Sequence, residues 1–128
     1  MSTGDAASSA AETPSTRPKI ALPYEHTGNL AELLRSVGVT LFISTYQAGK
    51  LVVAGTYEGQ VVFSIHSYDR AMGVAVSADH IAVGTRREIW ILRAAGLGPN
   101  IEPIGKYDSC YLTRTAFVTG EIHCHELA

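Results

Sequence analysis

From Thr40 to Arg93 the apolar residues come in short runs broken by turn-forming residues. Leu41-Phe42-Ile43-Ser44-Thr45 and Ile81-Ala82-Val83-Gly84-Thr85 are two such runs, each ending in a threonine, and the threonines stand forty residues apart. A polar turn follows each (Tyr46 to Lys50, then Arg86 to Glu88), and after it another apolar run (Leu51–Ala54, then Ile89–Leu92). Runs of this length between turn residues predict strands over Leu41–Ser44, Leu51–Gly55, Gln60–His66, Gly73–Ser77, His80–Thr85 and Glu88–Arg93. Tyr57-Glu58-Gly59 and Ala78-Asp79 read as hairpin connections. Side chains alternate between the faces of a strand, so Val61, Phe63 and Ile65 oppose Val62, and Ile89 and Ile91 oppose Trp90 and Leu92. Strands apolar on both faces usually lie in a parallel sheet covered by helices. Connections of a few residues leave no room for such helices. Antiparallel sheets stacked face to face satisfy both observations, and a spacing of about 40 residues is that of propeller blades.

On this reading Leu41, Leu51 and Gln60 start the later three strands of one blade, and Gly73, His80 and Glu88 start the first three of the next. Residues 94–100 read as a loop, 101–106 as an edge strand, 108–114 as a long polar connection, and a last apolar-polar piece begins at Thr119. The helix expected is Asn29–Ser36, with Leu30, Leu33 and Leu34 on one stripe, Asn29 placed to cap it and Gly38 just past its end. Residues 1–19, rich in Ala, Ser, Thr and Pro, lack apolar periodicity and read as a disordered tail. Ile20 to Tyr24 reads as a short extended piece laid on the domain, which runs over 20–128. The expected fold is therefore all-β: a partial β-propeller-like array of antiparallel strands, about two blades, with one short N-terminal helix. Propellers close with about four to eight blades, so the sequence reads as the N-terminal fragment of a longer propeller. The remaining blades, or self-association, are expected to cover its open face.

Charge narrows the partners. The chain has 128 residues, 17 % of them charged, and a net charge of −2. Its basic residues are scattered, with Arg86-Arg87 the only adjacent pair, which argues against nucleic acid. Cys110 and Cys124 are too few for a disulfide framework. No secretory leader and no long apolar span occur, so a cytoplasmic, membrane-free setting is expected.

The candidate chemistry is modest. Ala48-Gly49-Lys50-Leu51 is not a phosphate loop, because Ser44 stands where the first glycine is needed and Leu51 where a Ser or Thr is needed. Thr45, Tyr46, Gln47 and Lys50 instead suit a ligand-facing turn. Arg70 and Arg86, next to strand ends, and Tyr111 with Arg114 offer planar forks and a stacking face for an unknown small molecule or protein. His123 and His125 would share a face if they lay on a strand, the start of a metal site that lacks its remaining ligands. Cys110 with His125 is a nucleophile-base pair on paper, with nothing in the sequence to activate the thiol. Trp90, among isoleucines, reads as core. No catalytic constellation and no specific cofactor emerge.

Ser44-Thr45-Tyr46-Gln47-Ala48-Gly49-Lys50-Leu51 resembles the signature of a bacterial family of conserved hypothetical proteins with no assigned function. The resemblance continues through Arg70 to Ser77, Gly84-Thr85-Arg86, Ile89-Trp90, Asp108, Cys110-Tyr111, Arg114, Thr119-Gly120 and His125 to Ala128. It implies a propeller-like β fold, a domain that continues past Ala128, and no reaction. A propeller-type binding or interaction module is the function expected. The alternative is a calcium-dependent hydrolase propeller of the lactonase or phosphotriesterase kind, for which Asp69, Asp108 and Glu126 are the available acids.

Overall fold

A computed structural model describes residues 24–96 and 107–128. The tail at 1–19, most of the extended piece that follows it, and the edge strand expected at 101–106 lie outside these residues. The chain forms a helix, α1 (Leu30–Val37), and then β1 (Leu41–Thr45), β2 (Lys50–Tyr57), β3 (Gln60–Ser67), β4 (Val74–Val76), β5 (His80–Gly84), β6 (Glu88–Ala95) and β7 (Cys110–Val118). Every pairing is antiparallel, in two sheets of order β1-β2-β3 and β4-β5-β6-β7. Among the described residues the fold is all-β with one short helix, a partial propeller-like arrangement of two sheets with no closed barrel. Among the described residues no helix is long and apolar enough to cross a membrane.

Antiparallel strands with apolar residues on both faces have to be covered on both faces, and the two sheets cover one face of each other. Leu51 of β2 and Ile81 and Val83 of β5 are 0–2 % exposed and pack with Ala71 from the connection between the sheets. Phe42, Tyr68, Val74, Trp90, Leu92 and Tyr111 pack around them. Trp90 accordingly joins the core; its ring meets Tyr68 edge-on at 5.9 Å and its Nε1 donates to Glu88 Oε2 at 3.0 Å. Ala54, three residues beyond Leu51, points to the opposite face and is buried on the side where α1 crosses β2 and β3. Leu34 is the fully buried residue of α1. Tyr24 lies on Phe63 of that same outer face, ring centroids 4.4 Å apart.

The helix begins after Asn29, whose side chain makes no capping hydrogen bond. It ends at Gly38, which takes φ 69° and donates its N–H to Leu34 O at 2.9 Å, the left-handed closure that glycine adopts without penalty. The sequence expectation is corrected at residues 94–95 and 110–114. β6 runs on through Ala95, and Tyr111 and Arg114 lie on β7, paired with Ala94 and set in a β-bulge opposite Ile91/Leu92, not in a polar connection. The threonines of Cys110–Val118 are β-branched and sit comfortably in a sheet, so their polarity alone does not make a loop.

The two threonines forty residues apart make the same hydrogen bonds. Thr45 Oγ1 accepts from the Lys50 N–H at 3.0 Å and donates to Lys50 O at 3.2 Å. Thr85 Oγ1 accepts from the Glu88 N–H at 3.0 Å and donates to Glu88 O at 2.9 Å. Each hydroxyl ties the end of one strand to the first residue of the next. Thr85 is fully buried, so Thr85→Val, which keeps the shape and removes the hydroxyl, leaves the Glu88 backbone short of a partner. Thermal or urea unfolding is expected to show a loss of about 1–3 kcal/mol for Thr85→Val, and a smaller loss for Thr45→Val at its half-buried position.

Candidate functional site

The Thr45 and Thr85 turns, and the chain segments that leave β3 and β7, come together at one end of the paired sheets. The Tyr68 N–H donates to Gly49 O at 2.9 Å, and the Arg86 N–H donates to Asp69 O at 3.0 Å. Gly49 has φ 60°, and a side chain there would place its Cβ 2.6 Å from Tyr68 O, so the turn and the segment crossing it fit only around glycine. The segment after β7 crosses the second turn in a similar way. The N–H groups of His123 and Cys124 donate to Arg86 O and Thr85 O at 3.1 and 3.2 Å, and Cys124 O accepts from Gly73 at 3.0 Å. Gly84 makes room for this crossing: a Cβ there would lie 2.8 Å from Cys124 Sγ.

Four of the sequence-predicted residues, Tyr46, Arg70, Arg86 and His123, lie on this scaffold. Arg70 Nη1 donates to Tyr46 Oη at 2.9 Å, and its guanidinium carbon lies 5.3 Å from the centre of the Tyr46 ring. Arg86 donates to Glu121 Oε1 from Nε at 2.7 Å and also from Nη2. Arg87 Nη2 reaches Glu121 Oε2 at 3.5 Å, and His123 Nε2 lies 3.4 Å from Glu121 Oε1. The hydrogen bond from Arg86 holds the Glu121 carboxyl below its usual range, and Glu121 in turn raises Arg86, whose charge Asp69 and Tyr46 also favour, more weakly. Arg70 and His123 both have left-handed backbone, φ 54° and 49°, which side chains other than Gly, Asn and Asp seldom adopt.

The other predicted residues go elsewhere. The Thr45 hydroxyl is used within its own turn, Gln47 is exposed in that turn, and Lys50 Nζ donates to Ser67 Oγ at 2.7 Å. Tyr111 packs on the core near the opposite end of β6, where Ala95 pairs with Cys110, and Arg114 lies on the outer face of the second sheet. His123 and His125 are not on a strand: β7 ends at Val118, and the positive φ of His123 breaks the alternation that would place both rings on one face. The described residues contain no group of three or more His, Cys, Asp or Glu placed to hold a metal ion. Cys110 and Cys124 are free thiols. Glu121 completes the cluster without having been singled out in the sequence, where Asp69 stood out only as an acid for the hydrolase reading and Arg87 only as half of a basic pair. Glu121 reaches Arg86 across 35 positions, and no local pattern marks such a pair.

The cluster should affect stability in a pH-dependent way. Glu121 titrates lower in the folded chain than in the unfolded one, so its contribution is complete above the ordinary carboxylate range, near pH ~4.3, and is lost as pH falls through the folded value. Melting curves at a series of pH values should show Glu121→Gln less stable than the unsubstituted chain at neutral pH, with the gap closing in acid. A gap that stays constant down to pH ~3 would show that the pair contributes nothing through charge.

No curated protein and no solved structure matches the chain. The family described as Domain of unknown function (DUF4915) matches residues 28–128, everything from the turn before α1 onward. The chain belongs to that family.

Proposed function

We propose that the chain forms part of a propeller-type binding module, its two sheets acting as consecutive blades and its turn end as the recognition surface. The observation that carries this reading is the meeting of Tyr46, Arg70 and Arg86, from three separate stretches of chain, at one end of the sheet pair. The matched bonding of Thr45 and Thr85 supports treating the sheets as equivalent units. Arg70 in left-handed backbone is strained by about 1–2 kcal/mol, and strain of this kind collects where a side chain is held for a task. Only Nη1 of Arg70 is engaged among the described residues, so its remaining N–H groups can receive a carboxylate or phosphate beside the Tyr46 ring. The ligand we propose is therefore an anionic group. The calcium-dependent hydrolase reading has less support, because Asp69, Asp108 and Glu126, the acids it would use, belong to no group of three or more His, Cys, Asp or Glu placed to hold a metal ion among the described residues. Free Cys110 and Cys124 fit the reducing conditions of a cytoplasm, where we place the protein.

A titration of isotope-labelled protein with inorganic phosphate and with a hexaglutamate peptide, followed through the arginine Nε–H resonances, tests the site. The Arg70 and Arg86 signals are expected to move together and to saturate. Arg70→Ala should weaken the affinity about tenfold and Tyr46→Phe about fivefold, the range for losing a charged and a neutral hydrogen bond respectively. Signals that stay put with both probes, or that move equally at Arg35 and Arg93, would remove the turn end as a recognition surface.

A further inference from the structure

The two crossings at the turn end are built alike except at one position. Each contains a residue in left-handed backbone, Arg70 in the first and His123 in the second. Each brings that residue to the turn beneath it, Arg70 to Tyr46 and His123 to the pair formed by Glu121 and Arg86. Tyr46 and Arg86 correspond in turn, each being the residue after a closing threonine. Two residues before the left-handed position the crossings part. In the first this residue is Tyr68, whose ring turns into the core against Trp90. In the second it is Glu121, which bonds back to Arg86 at the surface. A crossing is thus made once without an acid at this position, so the connection alone does not call for Glu121.

What Glu121 occupies is a seat for a two-oxygen anion. Its Oε1 accepts from both Nε and Nη2 of Arg86 and faces His123 Nε2, while its Oε2 faces Arg87 Nη2. Three basic side chains therefore serve one carboxylate, in the fork geometry that suits carboxylates. The seat is held without its occupant. The Arg86 N–H donates to Asp69 O, and Arg86 O accepts from the His123 N–H, so backbone bonds fix the strand end on both sides. The occupant is tied less firmly. Thr119 and His123 bond to the turn through their N–H groups, but among the described residues no backbone bond joins 120–122 to it. The Ile122 N–H instead closes a bend onto Gly120 O, and Gly120 and His123 at either side have positive φ. The Glu121 side chain is 44 % exposed against 29 % for Arg86, so the carboxylate lies on the solvent side of the fork. Ion pairs this exposed hold only weakly.

We infer that Arg86, Arg87 and His123 form a carboxylate-binding seat that Glu121 fills in the free chain, and that a carboxylate of the ligand takes its place as Glu121 swings out on the bend 120–122. This rests on the turn end being the recognition surface, and it adds the group that competes there with the ligand. The two seats differ in kind. Arg70 has N–H groups with no internal acceptor among the described residues, so an anion binds there unopposed. Arg86 is reached only by displacement. Tyr46, which Arg70 holds, also favours the Arg86 charge, so the seats adjoin. A ligand with one anionic group gains only the open seat, whereas one carrying two carboxylates gains both. Glu121 thereby selects for polyacidic ligands over simple anions.

Hexaglutamate peptide titrated at neutral pH into the isotope-labelled full chain, and into Glu121→Gln, tests this through the arginine Nε–H and glutamate carboxyl resonances. In the unsubstituted chain the Glu121 carboxyl signal is expected to move towards that of an exposed glutamate as the peptide binds. Glu121→Gln should bind the peptide about three- to fivefold tighter, the strength of one exposed charge pair expressed as affinity. Glu121→Asp, which keeps the charge and shortens the reach, should fall between the two and serves if the glutamine variant folds poorly. Glu58→Gln removes the same charge from the exposed turn between β2 and β3, and should leave the affinity unchanged. Equal affinity for Glu121→Gln and the unsubstituted chain, or an equal gain in Glu58→Gln, overturns the inference. The Arg70 signal judges the open seat separately. If Arg70 moves while Glu121 and Arg86 stay fixed, displacement is wrong and recognition at Arg70 stands. If Glu121 and Arg86 move while Arg70 stays fixed, the seat under Glu121 stands and the proposed role of Arg70 fails.

Discussion

A short strand with apolar residues on both sides cannot be finished by one neighbour. It needs hydrogen-bonding strands beside it and cover above and below. This requirement organises the chain. It accounts for the two sheets pressed together around Leu51, Ile81 and Val83, and for α1 and Tyr24 lying over Ala54 and Phe63 on the first sheet's outer side. The helix has only eight residues, too few to be stable alone, so its Leu34 and the sheet beneath it depend on each other. The threonine-closed turns then hold the strand ends in register, and the crossings at Gly49 and Gly84 are possible because those two positions have no side chain.

The same crossings create the polar end of the molecule. When the chain leaves β3 or β7 it must turn over the neighbouring hairpin, and at Arg70 and His123 it does so through left-handed backbone. Two long polar side chains are thereby aimed along the turn end, towards Tyr46 and towards Glu121. The cluster is thus a by-product of how the sheets are connected. The cluster and the fold share the same backbone atoms here, and a change that relaxed either crossing would also scatter the arginines.

Much of the fold was legible because strand periodicity and turn residues are local. The first six strands lie within a residue or two of the runs that predict them, and the forty-residue spacing of Thr45 and Thr85 corresponds to matched hydrogen bonds. β7 was not legible. Its pairing with β6 depends on a partner far away in the chain, and alternating Thr and Arg residues disguised a strand as a connection. The site divides in the same way. Arg70 and Arg86 stand out beside strand ends, but the side chains that complete the cluster, Glu121 above all, are recruited by tertiary crossing. His123 and His125 misled for a related reason: their alternation has meaning only on a strand, and the backbone there is not extended.

The unequal connections of the two sheets set an order for folding. β2 and β3 are joined through Glu58 and Gly59, both at positive φ, a tight turn suited to the twist of the hairpin. β6 and β7 pair just as extensively, but residues 96–109 separate their ends. On loop-length scaling alone, closing that connection costs about 2 kcal/mol more than closing the two-residue turn. The first sheet can therefore zip up from a local hairpin within microseconds, while the second must wait for a distant strand to find its edge. Until β7 arrives, β6 is an unpaired edge rich in isoleucine, and this is the interval in which the chain is most exposed to misassembly.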